Sequence, residues 1–301
     1  MTMEQLINVL VIVMLVEMMA AIGLGVNTAE LIGIAKNWRL VLQAGLANYI
    51  CVPAITVGLL MLFHPADPLV SAGFLILAVC PGAPFGPPCT KLARGDVAAA
   101  VGLMVVLAAS SALAAPVLLH FLLPMMSENE PLKVDAGKII GTLLVTQLVP
   151  LCVGLWLRHW RPSVAEKLQS TANLLSAVLG LLTIGVILFA HFPLLMEIRL
   201  RGYMGMLALL LASWPAGWLL GGPCRDTRKA MTLTTSLRNV GVGLVIATGT
   251  FAGTVAVTAT LAYGIIEIVG SLVLALWWAR GSRARRALLL RQATRPSVLL
   301  D

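Results

Sequence analysis

Nine runs of roughly 20 or more residues, each nearly free of charge, fill most of this sequence: 5–26, 39–62, 69–93, 96–123, 137–157, 168–192, 203–221, 229–251 and 254–279. A bilayer core about 30 Å thick asks for about 20 apolar residues per helical span. The sequence therefore predicts an all-α integral membrane protein of nine transmembrane helices. Composition agrees, since charged residues make up 11% of the 301 residues where a soluble chain carries about 25%. The first run lacks a basic leader and carries Glu17 inside it, so it reads as a retained helix rather than a signal peptide. No soluble domain is expected, and the longest loop surrounds Ser127-Glu128-Asn129-Glu130.

The net charge of +8 reads as topology rather than as nucleic-acid binding. Sixteen basic residues, from Lys36 and Arg39 to the six arginines between Arg280 and Arg295, fall on one side of the predicted spans. Four fall on the other, namely Lys133, Lys138, Arg199 and Arg201, and Arg238 is left in the membrane. This positive-inside bias predicts a multi-pass protein of a plasma (inner) membrane, with its N-terminus outside and its C-terminus cytoplasmic. The basic tail, 280–301, has the charge to touch anionic lipid, although topology alone accounts for it.

Two of the runs are predicted to be discontinuous. The third ends in Val79-Cys80-Pro81-Gly82-Ala83-Pro84-Phe85-Gly86-Pro87-Pro88, with four prolines and two glycines in ten residues. Proline in a helix interior removes a hydrogen bond and clashes with the preceding turn, so no continuous helix passes through it. The eighth is interrupted at Asn239-Val240-Gly241-Val242-Gly243. Interrupted spans in corresponding positions of two halves point to a transporter's binding site, because freed backbone groups survive only where they line a polar cavity.

Away from the ends of the runs, three charged residues remain: Glu17, Arg238 and Glu267. An intramembrane charge is costly and by default marks function. Arg238 is read either as the structural partner of Glu267 or as the group that holds a substrate carboxylate bidentately. In the second reading Ser236 and Asn239 add neutral hydrogen bonds, and Glu267 or Glu17 carries a proton. The five cysteines show no paired spacing and read as small buried apolar residues, and no metal site or cofactor is expected. His64, His120, His159 and His191 stand near span ends with no metal-ligand spacing and no nucleophile beside them, so nothing argues for an enzyme.

The string Cys80-Pro81-Gly82, followed by Leu92-Ala93-Arg94-Gly95-Asp96-Val97-Ala98, resembles the core motif of the bile acid:sodium symporter superfamily. The eighth run, at Asn239-Val240-Gly241-Val242-Gly243-Leu244-Val245-Ile246-Ala247-Thr248, is similar to the family's second crossover helix. Gly23-Leu24-Gly25-Val26 and Gly270-Ser271 also fit, and the resemblance runs over almost the whole chain. It implies a single transporter domain of inverted five-helix repeats, with two broken, crossing helices and the first helix of the ten-helix version absent. A core of about 39–123 and 203–279 would face a panel of about 5–26 and 137–192, with alternating access between them. The substrate would be a small organic anion, bound near Pro84, Phe85, Gly86, Pro87, Ser236, Arg238, Asn239 and Glu267.

The resemblance also locates two sodium sites, and there this sequence departs from the family. The expected Ser-Asn pair is Gly86-Pro87, the hydroxyl positions are Ala100 and Met104, the Glu is Thr234 and the Gln is Arg238. Asn48 alone stays similar, standing for a glutamine. Sodium needs several oxygen ligands, and these side chains do not supply them. The sequence thus predicts a sodium-independent secondary transporter in which Arg238 replaces the bound cations. Asn48, Thr234, Thr235, Arg238, Glu267 and Glu17 stand at the coupling positions. The alternatives are a sodium symporter using backbone ligands, an auxin-efflux-like anion exporter, an arsenite-type exporter, and a sensor or scaffold that binds without transporting.

Overall fold

The computed structural model describes residues 2–63, 67–126 and 132–293. His64, the loop at Ser127-Glu128-Asn129-Glu130 and the last residues of the basic tail lie outside the described residues. Every regular element among those described is a helix. In chain order these are α1 (Met3–Gly25), α2 (Thr28–Lys36), α3 (Trp38–Phe63), α4 (Pro68–Ala78), α5 (Gly86–Leu92) and α6 (Val97–Met126). There follow α7 (Ala136–Trp160), α8 (Pro162–Glu197), α9 (Leu200–Leu220), α10 (Arg225–Ser236), α11 (Val240–Thr250) and α12 (Val255–Ala293).

The starts of these helices follow from their caps. The Asn27, Asp67, Asp96 and Asp135 side chains each accept a hydrogen bond from a first-turn amide, and Thr2 with Gln5 forms a capping box. Each cap satisfies donors that have no partner within the helix. α2 is a short helix that no apolar run predicts; its Ile34 packs where Gly102 leaves room in α6. α8 is kinked at His191, whose backbone leaves the helical region two residues before Pro193.

Among the described residues, eight helices or end-to-end helix pairs are long and apolar enough to cross a membrane. The expected third run is not among these eight, because it is divided into α4 of eleven residues and α5 of seven, at the break that the sequence predicts. Between them lies a non-helical link in which Gly82 adopts φ +90°, a backbone conformation that side-chain-bearing residues rarely take. The eighth run does form a pair, α10 and α11, parted at Leu237-Arg238-Asn239.

Packing puts the broken segments at the centre. In the α10–α11 pair 94% of the apolar window is buried, against 17% for α8, whose Leu174, Leu181 and Phe189 are exposed. α1 lies against α7, α8 and α11. It meets α7 at Gly23 and Gly154, where a Cβ on either residue would stand 2.8 Å from the Cα of the other. Close backbone approach at small residues is the usual basis of helix association in lipid.

Gly82→Ala is expected to lower the detergent-solubilised apparent stability by about 2–4 kcal/mol, through its left-handed backbone and the Ala108 backbone its Cβ would meet. Gly58→Ala, with open space around it in α3, is expected to be neutral or stabilising. Paired thermal unfolding curves check both.

Candidate functional site

The two breaks meet. The Asn239 amide donates to the Cys80 carbonyl at 2.7 Å, and Asn239 Nδ2 donates to the Gly82 carbonyl at 3.3 Å. The same side chain caps α11, its Oδ1 accepting from Val242 N at 3.2 Å. One residue therefore starts a half-helix and fastens it to the other break.

Arg238, in the second break, is only 1% exposed. Its Nη1 donates to Asn48 Oδ1 at 3.0 Å and its Nη2 to the Thr235 carbonyl at 2.7 Å. Asn48 reaches the crossing from a widened turn of α3, Ala47–Cys51. Pro53 lies four residues after Tyr49 and offers its carbonyl no donor, which favours such a turn. The Asn48 amide group is oriented by donation to the Ala44 carbonyl at 2.9 Å and to Thr235 Oγ1 at 3.5 Å. That leaves its oxygen for the guanidinium.

Glu267 is fully buried on α12, and its Oε1 accepts from the Arg238 backbone amide at 2.7 Å. The carboxylate thus holds the unwound backbone. Arg238 Nε and Glu267 Oε2 have no hydrogen-bond partner among the described residues, nor do Tyr263 Oη and Thr234 Oγ1. Tyr263 stands one turn before Glu267 on α12, and Thr234 is the nearest neighbour of Gly86 across the crossing. Ser236 Oγ lies 3.0 Å from Ser271 Oγ.

Of the residues singled out in the sequence, Asn48, Thr235, Arg238, Asn239 and Glu267 are thus joined directly. Thr234, Ser236, Gly86 and Pro87 are buried in the same region, Pro84 is half-buried, and Phe85 is exposed. Glu17 is placed elsewhere: its carboxylate accepts from Ser176 Oγ between α1 and α8. Ala100 and Met104 are buried among apolar neighbours of α6. Two of the five cysteines, Cys152 and Cys224, are exposed, which corrects their reading as buried apolar residues. Among the described residues no cluster of His, Cys, Asp or Glu has metal-binding proximity.

Sequence reasoning passed over Tyr263, although its spacing of four from Glu267 puts both on one face of a helix. It also missed a cavity of about 380 Å³ between α1, α7 and α11, lined by Asn8, Lys138, Thr142, Val245 and Thr250 among others. Arg238 does not line that cavity; α11 runs from the crossing to its wall.

Asn239→Ser keeps a capping oxygen for α11 and gives up the donor to Gly82, while Asn239→Ala gives up both. The unfolding temperature is expected to fall in the order wild type, Ser, Ala, with about 1 kcal/mol for each lost bond. Equal stability of the wild type and the Ser variant would mean that the Gly82 bond contributes nothing.

A family model described as the sodium bile acid symporter family matches residues 12–198, which include the first break and stop short of the second. A protein of Bacillus subtilis (strain 168) named "Uncharacterized sodium-dependent transporter YocS" is 24% identical over 263 residues, which are 84% of this chain and 78% of the relative.

Proposed function

This chain belongs to the sodium bile acid symporter family, and we propose that it is a secondary transporter of a small organic anion that works without bound sodium. The observation that carries this reading is the guanidinium of Arg238 on Asn48 Oδ1 and the Thr235 carbonyl. Those are two of the oxygens a hard cation would need at the crossing. A sodium ion within about 4 Å of the guanidinium would meet a repulsion of about 4 kcal/mol in a partly screened site. Gly86, Pro87, Ala100 and Met104 bring no side-chain oxygen to replace those ligands.

Arg238 then acts as the fixed cation that draws the anion to the crossing, helped by the positive end of α11. Its Nε is free for the anion, and Ser236 and Asn239 stand beside it in the sequence. Coupling falls to Glu267. Its Oε1 holds the Arg238 amide while its Oε2 is unengaged, so a proton can come and go without dismantling the crossing. A second reading keeps sodium coupling through backbone oxygens, because the family's description and the name of the Bacillus subtilis relative both carry sodium.

Thermal stability of the purified protein against short monocarboxylates, hydroxy acids, sulfonates and bile acids, in sodium and in potassium buffer, separates the two. A ligand that prefers the folded state raises its apparent stability. The expected result is stabilisation by one class of anion, equal in both cations and lost in Arg238→Ala. Stabilisation that requires sodium, or that survives in Arg238→Ala, would overturn the fixed-cation reading.

For the anion so identified, wild-type uptake is expected to rise as external pH falls. Glu267→Gln is expected to flatten that profile. An unaltered profile in the variant removes Glu267 from coupling.

A further inference from the structure

The end of α5, the end of α9 and the start of α10 come together beside the last turns of the α12 span. Their surface carries one sign of charge. Arg225 and Arg228 lie three residues apart on the first turn of α10, a spacing that makes their side chains neighbours. The Arg94 carbonyl accepts from Lys229 Nζ at 3.1 Å, which brings the exposed Lys91 and Arg94 to the same place, and α12 adds the exposed Arg280. Against these cations stand two carboxylates, and the protein engages both. Asp226 Oδ1 accepts from Lys229 Nζ at 3.2 Å, and Asp96 Oδ1 caps α6.

An aromatic shelf adjoins the charge. The Arg228 guanidinium lies 5.8 Å from the centroid of the Trp218 ring, and Trp218 meets Trp278 with 5.7 Å between centroids. Both rings are half-buried, and each stands two residues from the end of its apolar span. That is the level at which tryptophan meets the polar border of a bilayer. Arg228 Nε donates to the Gly222 carbonyl at 2.7 Å, which fixes the guanidinium on the ring. Its Nη1 and Nη2 are not buried and bond nothing among the described residues, so they remain as a fork for an oxyanion. Topology asks for basic residues at this end of the spans; it does not ask that one be pinned to a glycine carbonyl and laid over a tryptophan.

We propose that this surface binds an acidic phospholipid, its phosphate on Arg228 and Arg225 and its glycerol and first acyl carbons on the Trp218–Trp278 pair. A soluble phosphate would use the fork alone, whereas a lipid at the bilayer border uses the fork and the rings together. The lipid clasps α10 at its start. That half-helix of 12 residues ends at the second break, so the headgroup and Arg238 stand near its opposite ends.

The purified full chain, titrated in neutral detergent with phosphatidylglycerol, tests this through its unfolding temperature. The expected result is a saturable rise that phosphatidylcholine with the same acyl chains does not give. The half-saturating concentration is expected to increase about fivefold in Arg228→Gln, the contribution of one basic residue at an anionic lipid surface. It is expected to increase in Trp218→Leu as well. Arg225→Gln, at an exposed residue, shifts it in the same direction without disturbing the bond to Gly222. Lys167→Gln, an exposed charge of α8 outside the patch, is expected to leave it unchanged.

Equal stabilisation by phosphatidylcholine, an unchanged midpoint in both arginine variants, or an equal shift in Lys167→Gln would each overturn the proposal. Stabilisation by soluble glycerol 1-phosphate at the same concentrations would overturn it too, and would make the patch a site for free phosphate.

Discussion

The hydrogen bond from the Asn239 amide to the Cys80 carbonyl is the contact on which this architecture depends. Interrupting a helix inside a bilayer frees backbone groups that no water can satisfy, at several kcal/mol each. Either break alone would be an expensive defect. Together they complement each other, because the first offers the carbonyls of Cys80 and Gly82 and the second offers the amide and side chain of Asn239. Glu267 completes the set by accepting from Arg238 N. α12, which carries Glu267, is in turn fastened to α4 by the bond from Thr260 Oγ1 to the Gly73 carbonyl. Four helical segments, α4, α10, α11 and α12, are therefore tied together around the two breaks by bonds between buried groups.

Arginine suits this position for geometric reasons. Its acceptors, a side-chain amide oxygen from α3 and a main-chain carbonyl from α10, belong to different elements. A planar fork with fixed donors meets both at once, which a lysine ammonium on a flexible stem does less well. The charge also sits beside, rather than on, the Glu267 carboxylate, which spends its bonded oxygen on the Arg238 backbone. The ion pair that the sequence suggests as one reading of these residues is thus replaced by a bond to the same residue's main chain. That difference leaves the guanidinium bonded to neutral oxygens, with the Glu267 carboxylate on the main chain of the same residue.

Much of this was legible in the sequence, for identifiable reasons. Proline and glycine act through the backbone, so Pro81, Gly82 and Pro84 announced the first break without any knowledge of neighbours. Arg238 and Glu267 announced themselves because charge inside an apolar run is rare. What the sequence did not carry was direction. Glu17 has the same residue type and a similar mid-span position as Glu267, yet its side chain meets Ser176 of α8, because the face that α1 turns to each neighbour is fixed by its packing on α7, α8 and α11 and not by a local signal. Lys138 was equally opaque: a basic residue near a span end is counted as topology, and only the packing of three helices makes it part of a cavity.

A built-in cation changes the energetics of transport as well as its chemistry. A bound ion couples an anion to a gradient because it arrives from one side and leaves on the other, so its binding free energy differs between the two conformations and the two solutions. A guanidinium supplies the attraction and none of the work, since it never leaves. In the fixed-cation reading the anion is held at the crossing with no ion to carry, and any uphill movement must draw on a second group that does exchange with solvent. In the same reading that duty would fall to Glu267, which has one bonded and one unengaged oxygen among the described residues. It shares with Arg238 the main-chain bond that holds the break, so in that reading a proton arriving there would be felt first at the residue proposed to hold the anion. Coupling in this chain would then pass through one hydrogen bond of the crossing, between the backbone of the fixed charge and the carboxylate that titrates.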